Sequence, residues 1–221
     1  MSEPDFIPYQ APVRPPEEMQ RRGEELFAEM EARRSVRDFS DRPVDRALIE
    51  TAIRIASTAP SGAHRQPWRF VAVSDPGKKR EIRIAAEAEE RESYEHRMSD
   101  EWREALAPFG TTWQKPFLET VPWIVVVFEE IYRLDTEAQK EKNYYVKESV
   151  GIACGFFIAA LHHMGLATLT HTPSPMGFLG DLLERPKNER AFILFPIGFP
   201  ADNAEVPNIQ RKSLEAVSQW L

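Results

Sequence analysis

Apolar residues recur at helical spacing in several parts of the chain and run together in two others. Between Arg46 and Thr58, Ile49, Ala52, Ile53 and Ala56 form one stripe, which predicts a helix with Asp45 as its N-cap. Met19, Leu26, Phe27 and Met30 mark another from Pro15–Pro16 to about Arg33–Arg34. Lys78 to about Met98 is strongly helical and charged, continuing less regularly from Trp102 to Leu106. Tyr144 to Gly165 is the most apolar helical segment, which predicts a buried central helix with Gly165 as its C-terminal signal. The runs "VPWIVVVFEE" and "RAFILFPIGFP" predict buried strands, with shorter ones expected over Arg69 to Ser74 and in "LATLTHTPS". Gly177 to Leu183 predicts a short helix and "APFGTTWQKPFL" a loop.

Helices and strands mixed in this order, without an internal repeat, indicate a layered α+β or α/β fold. Met1 to Pro16 is proline-rich and non-periodic, so it predicts an extended arm that orders only against a partner surface. The expected division is an N-terminal arm over residues 1–22, overlapping the start of the first helix, and one domain over 23–221.

Composition narrows the function. A chain of 221 residues, 42% hydrophobic and 29% charged, suits one sizeable soluble domain. Its net charge of −7 argues against general nucleic-acid binding, which needs a basic surface. One cysteine, Cys154, excludes an internal disulfide and fits a reducing compartment. The N-terminal stretch has no apolar signal region, and Ser149 to Leu161 is too short to span a bilayer. A cytoplasmic protein with no membrane partner is expected.

The common phosphate-loop, dinucleotide and nucleophile-elbow motifs are absent, and the five histidines and Cys154 show no metal-ligand spacing. What remains is a set of separated polar segments. Arg33, Arg34, Ser35 and Arg37, with Val36 among them, would suit a phosphate monoester, because guanidinium donates bidentately to its oxygens. A solvated basic patch reads the same way; Arg211 and Lys212 could complete either. The stretch "TAPSGAHRQPW" is longer than a turn requires and exposes backbone N–H groups and a hydroxyl. In "EERESYEHRM", Glu90 and Tyr94 stand four apart and share a helical face, and Lys115 follows in "TTWQKPF". On the residues alone this is a solvated charged helix, and Thr170 and Thr172 are ordinary strand threonines.

"RRSVRDFS" followed by "APSGAHRQPWRF" resembles the nitroreductase superfamily of FMN flavoproteins. "TAPSGAH", "YYVKESVGIACGFFIAAL", "GLATLTHTP" and "VPNIQRKSL" are similar to its iodotyrosine deiodinase branch, over roughly Met30 to Leu214. The resemblance implies an α+β nitroreductase-type fold: a central, mostly antiparallel sheet wrapped by helices, in an intertwined homodimer with FMN at the subunit interface. It implies FMN contacts from Arg33, Arg34, Ser35, Val36, Arg37, Pro60, Ser61, Thr170, His171, Thr172 and Arg211. Thr172 is implied as the catalytic hydroxyl that donates to flavin N5 and favours one-electron steps. A substrate lid is implied around residues 85–118, with Glu90 accepting from the ammonium of an amino acid and Tyr94 and Lys115 donating to its carboxylate. The Ala63 N–H would meet the phenolic oxygen. Pro116 and the neighbouring acidic residues depart from the family pattern, which bears on the lid's geometry rather than its chemistry.

The activity implied is FMN-dependent reductive dehalogenation of halotyrosines or related halophenols. Electrons would come from NAD(P)H or from a reductase- or ferredoxin-type protein. The alternatives are an NAD(P)H-dependent nitroaromatic or quinone reductase, which needs no lid trio, and a flavoprotein that binds an aromatic amino acid without turnover.

Overall fold

The computed structural model describes residues 4–134, 137 and 139–221, in two compact units that divide between Arg33 and Arg34. Residues 4–15 have no regular structure, and residues 1–3 of the expected arm lie outside the described residues. Helix α1 (Pro16–Ala32) starts with proline in its first turn, where no N–H is needed, and with Glu17 and Glu18 at its positive end. Residues 16–22, included in the expected arm, are therefore helical. Arg21 bridges Glu18 and Glu25 at 2.7 and 2.5 Å along this helix, which buries none of its residues.

In the second unit, α2 (Arg46–Ala56) is capped as expected, Asp45 accepting from the Ala47 N–H at 2.8 Å. Strand β1 (Trp68–Val73) precedes α3 (Pro76–Glu92), whose cap Asp75 accepts from the Lys78 N–H at 2.7 Å. The single helix expected to reach Met98 instead opens into a π turn at Ser93–Arg97. Ser99 then caps a separate α4 (Asp100–Leu106). The last two residues of the expected loop after it, Phe117 and Leu118, begin α5 (Phe117–Thr120). Next come β2 (Trp123–Glu130), a short antiparallel pair of β3 (Tyr132–Leu134) and β4 (Lys140–Lys142), and α6 (Val146–His163). The chain closes with β5 (Ala167–Thr168), α7 (Gly177–Leu182), β6 (Glu189–Gly198) and α8 (Leu214–Val217).

The sheet has the order β1-β2-β6-β5, with every pair antiparallel. Its central strand explains why the sequence there is apolar throughout rather than alternating. Val125 and Val127 face one cluster with Ile49 and Ala52 of α2 and Phe157 and Leu161 of α6. Ile124, Val126 and Phe128 face the other, with Ile82 and Ala86 of α3, Leu118 of α5 and Leu179 of α7. Both faces are covered by helices, so both parities of β2 must be apolar. The α+β arrangement is the expected one.

Candidate active site

The site grows from the sheet edge. β5 is only two residues long, yet the chain after it rejoins β6 at His171, whose N–H donates to Leu194 O at 2.8 Å while Leu194 N–H donates to His171 O at 2.9 Å. Pleating therefore alternates this segment: Leu169, His171 and Pro173 are buried, and Thr170 and Thr172 are exposed. The 34–37 loop runs beside it, with Ser35 bridged in parallel to Thr168 and Val36 N–H donating to Thr168 O at 3.3 Å. The structure thus brings Ser35, Val36, Arg37, Thr170, His171 and Thr172 to one edge. Arg34 donates to Pro207 O, and Arg37 lies over the Phe109 ring at 5.9 Å. Arg33 caps α1 in the first unit, its N–H donating to Met30 O at 3.2 Å. Arg211 is exposed in the irregular segment before α8.

A cavity of about 160 Å³ opens against this edge. Arg37, Thr170, His171 and Thr172 line it together with Glu90, Tyr94 and Lys115. Met98, Trp102, Leu106 and Phe117 supply its apolar wall. The residues 90, 94 and 115 thus meet in three dimensions. Glu90 leaves the last turn of α3, and the π turn carries Tyr94 beside it. Lys115 is held by its backbone: its N–H donates to Glu87 Oε1 at 2.6 Å, and Glu87 is fixed by Arg83 at 2.9 Å. Pro116, the departure noted above, caps α5 immediately after it.

Inside the cavity Glu90 and Lys115 pair with each other, while Tyr94 turns to a backbone carbonyl. Lys115, only 4% exposed, places Nζ 3.5 Å from Glu90 Oε2 and donates to Thr111 Oγ1 at 3.2 Å and to Thr112 O. Tyr94 OH donates to Thr111 O at 3.2 Å. Burial raises the Glu90 pKa, an effect that the Lys115 charge opposes. Burial lowers the Lys115 pKa, with Glu90 acting against it. His171 is pushed down to about 3, first by burial and then by the charges of Lys115 and Arg37, so it is neutral. Thr111 and the Met98–Leu106 wall were not anticipated. Thr111 lies four residues before Lys115, a local spacing that could have flagged it; the wall needed the separate α4.

The Pro60–Ala63 segment is not among the residues lining this cavity. It rests on the start of α6. Gly62 N–H donates to Ser149 Oγ at 3.3 Å, and Ser61 Oγ accepts from Gln66 N–H at 2.9 Å. Ala63, His64 and Gln66 take positive φ of 50, 52 and 49°. His64 and Arg65 N–H are satisfied within the turn, while the exposed Ala63 N–H has no acceptor among the described residues. Cys154 lies in the apolar cluster, where burial pushes its thiol up to about 12, leaving a packing residue rather than a nucleophile.

The pattern of the nitroreductase family matches residues 30–199. The chain belongs to the nitroreductase family. Within that family it falls in the iodotyrosine deiodinase branch. It is 56% identical to iodotyrosine deiodinase of Haliscomenobacter hydrossis over 97% of this chain and 96% of that one. It is 41% identical to the iodotyrosine deiodinase of Nematostella vectensis, over 95% of this chain and 80% of the relative. Its fold matches an oxidised iodotyrosine deiodinase solved with FMN and 3-iodo-L-tyrosine, at a TM-score of 0.77 and 29% identity over 86% of this chain and 96% of that one. The antiparallel sheet wrapped by helices is the nitroreductase-type fold.

Proposed function

We propose that this protein is an FMN-dependent reductive dehalogenase of halotyrosines, converting iodotyrosine to tyrosine and halide. The observation that carries the reading is the Glu90–Lys115 pair, Oε2 to Nζ 3.5 Å, in a cavity bounded by the Thr170–Thr172 edge. An amino-acid zwitterion has the complementary charges of both partners. Its ammonium can take the place of Lys115 at Glu90, and its carboxylate can take the place of Glu90 at Lys115, with Tyr94 OH as a second donor. One internal ion pair is exchanged for two, with no charge left buried alone.

The residues present fit FMN. Two exposed hydroxyls, Thr170 and Thr172, project from a rigid sheet edge, with Arg37 beside them and Ser35 bridged to the same strand. When bound there in its reduced form, FMN would supply two electrons, singly, so that with one proton delivered to the ring carbon the carbon–halogen bond would give way to a carbon–hydrogen bond and halide would leave. Arg33, Arg34, Ser35, Val36, Arg37 and Arg211 would hold its phosphate and ribityl chain, and the Thr172 hydroxyl would donate to N5. The unpartnered Ala63 N–H donates to the phenolic oxygen, and the lid over residues 85–118 excludes water.

A second copy of the chain completes the site. Pro60, Ser61 and Ala63 stand apart from the cavity within one chain, so they serve the partner's flavin. α6 keeps an uncovered face suited to that pairing: Gly151, Ile152, Gly155 and Phe156 are exposed, the two large ones by 43% and 40%. Electrons reach the flavin from NAD(P)H or a reductase- or ferredoxin-type protein, and the protein works in the cytoplasm.

The test is an anaerobic assay of dithionite-reduced protein with 3-iodotyrosine, following tyrosine by chromatography. Catalytic tyrosine formation is expected. A yellow, fully reducible protein that forms none, yet reduces a nitroaromatic with NAD(P)H, would refute the reading.

A further inference from the structure

One polar group in the cavity has no task in this scheme. His171 stands between the two exposed threonines, but its side chain turns the other way and is 6% exposed. It is rigidly held. Its backbone pairs with Leu194 on both sides, and its ring meets Phe117 edge-on at 6.0 Å and 82°. Nδ1 lies 3.9 Å from Glu90 Oε1, while Nε2 is buried with no hydrogen-bond partner among the described residues. Glu90 therefore has one oxygen toward Lys115 and the other toward His171.

We propose that His171 is a positioning residue for Glu90: a neutral imidazole whose Nδ1–H holds one carboxylate oxygen, leaving the other aimed at the substrate's ammonium. The inference rests on the halotyrosine reading above and assigns the histidine to the substrate side rather than to the flavin.

The tautomer follows from the neighbours. A carboxylate only accepts, so a bare Nδ1 lone pair facing it would be repelled, and the proton belongs on Nδ1. Nε2 is then a bare acceptor, the one arrangement in which the unpartnered nitrogen buries no N–H. The charged and titratable groups that face the ring are Glu90 from α3, Tyr94 from the π turn, Lys115 before α5 and Arg37 from the 34–37 loop. Two of these are cations, so a third positive charge on the imidazole is disfavoured, which keeps it neutral.

The need for such a group appears when substrate enters. Lys115 is drawn from Glu90 toward the substrate carboxylate, leaving the substrate's ammonium as the cation that must offset the burial favouring the protonated acid, a form that holds an ammonium poorly. A donor on the far oxygen keeps Glu90 ionised and fixes its rotation. The present contact is roughly 1 Å longer than an N–H···O bond, so it is poised to close as Lys115 moves away.

Two variants test this in the FMN-loaded protein: His171→Phe, which keeps the ring and removes the donor, and His171→Asn, whose amide can put an N–H where Nδ1 stands. KM and kcat are measured for 3-iodotyrosine and for 2-iodophenol, which lacks the zwitterion, and binding of each is followed by flavin fluorescence. His171→Phe is expected to raise KM for 3-iodotyrosine roughly tenfold, the worth of one hydrogen bond to a charged group, with a smaller change in kcat. The rise should be at least about fivefold larger than for 2-iodophenol. It should grow as pH falls, because Glu90 protonates more readily, and His171→Asn should recover most of it. In a Glu90→Gln background His171→Phe should add little, since the two act as one unit.

Equal losses for the two substrates, additive losses with Glu90→Gln, or His171→Asn no better than His171→Phe would each overturn the assignment. The underlying reading fails differently: unaltered protein then makes no tyrosine from 3-iodotyrosine, and the proposal falls with it.

Discussion

Lys115→Ala separates the substrate site from the flavin site more sharply than other changes. The Lys115 ammonium has three donors, and all three are used: toward Glu90 at 3.5 Å, Thr111 Oγ1 at 3.2 Å and Thr112 O. At 3.5 Å, with an effective dielectric of about 20, the attraction between unit charges is roughly 5 kcal/mol before desolvation is subtracted. A substrate carboxylate that replaces Glu90 inherits that geometry. Truncating one partner of such a shielded charge pair typically costs about 3 kcal/mol net, which is roughly a hundredfold in affinity. The fold should tolerate the change, because Glu90, no longer held ionised by its neighbour, can take up a proton.

The assay is a titration of the FMN-loaded variant with 3-iodotyrosine by flavin fluorescence, beside a measurement of FMN affinity on the apoprotein. The expected result is a loss of about a hundredfold or more for iodotyrosine, with FMN affinity unchanged within about twofold. Equal loss of both ligands would refute the separation of the two sites. A loss below about fivefold would refute the exchange of ion pairs, since a charged donor cannot be removed from a dry site so cheaply.

Three further outcomes are expected. Gly62→Ala places a Cβ 2.7 Å from Tyr144 O and 2.8 Å from Tyr145 Cδ2, so it should destabilise the protein by about 1–3 kcal/mol in urea unfolding; a wild-type midpoint would show that the loop does not rest on α6. Phe156→Glu charges the uncovered face of α6 and should convert a dimer to monomers on gel filtration, with loss of bound FMN; a dimer that persists places the interface elsewhere. His171 has a folded pKa of about 3 against an ordinary 6.5, so its contribution to stability is present above pH 6.5 and is lost as pH falls toward 3. Glu90 has the opposite sign: its raised pKa gives stability that is full below 4.5 and lost as pH rises through the folded value. Urea midpoints against pH should therefore lose the acid limb in His171→Phe and the rising-pH loss in Glu90→Gln, and parallel profiles for all three proteins would contradict both.

Most elements legible in the sequence were those whose faces are decided by burial, α1 being a helix that was read although it buries none of its residues. α2 shows its stripe because one side meets the core, and β2 and β6 read as buried strands because helices cover both faces. The break between α3 and α4 was not legible, because the charged, half-exposed sequence has no apolar period there to interrupt. The β3–β4 hairpin, three residues a strand and with β4 wholly charged, gave no signal either. At the site, Glu90 and Tyr94 share a face at i, i+4, but their meeting with Lys115 depends on Glu87 capturing a backbone N–H 28 residues away, which no local spacing reveals. The alternation that exposes Thr170 and Thr172 and buries His171 could have been read from a strand's period of two; what His171 would find inside could not.

The Glu90–Lys115 ion pair also bears on selectivity. On the proposed reading, a halophenol with no amino-acid group would stack and meet the Ala63 N–H, yet leave Glu90 and Lys115 paired with each other and the cavity charge unaltered. A zwitterion must break that pair, and it gains only if it supplies both charges at the right separation. An amine alone would displace Lys115 from Glu90 and leave the lysine's charge buried with Thr111 and Thr112 as its only nearby acceptors. A carboxylate alone would strand Glu90. The pair therefore discriminates by penalising half-matches, and discrimination of this kind does not require tight binding of the ring. It follows that tyramine and 3-(4-hydroxyphenyl)propanoate, which each carry one of the two charges, should both compete with iodotyrosine less well than tyrosine does. Inhibition constants measured under anaerobic turnover decide the point: if either half-molecule competes as well as tyrosine, the pair is a structural strut and the zwitterion is read elsewhere.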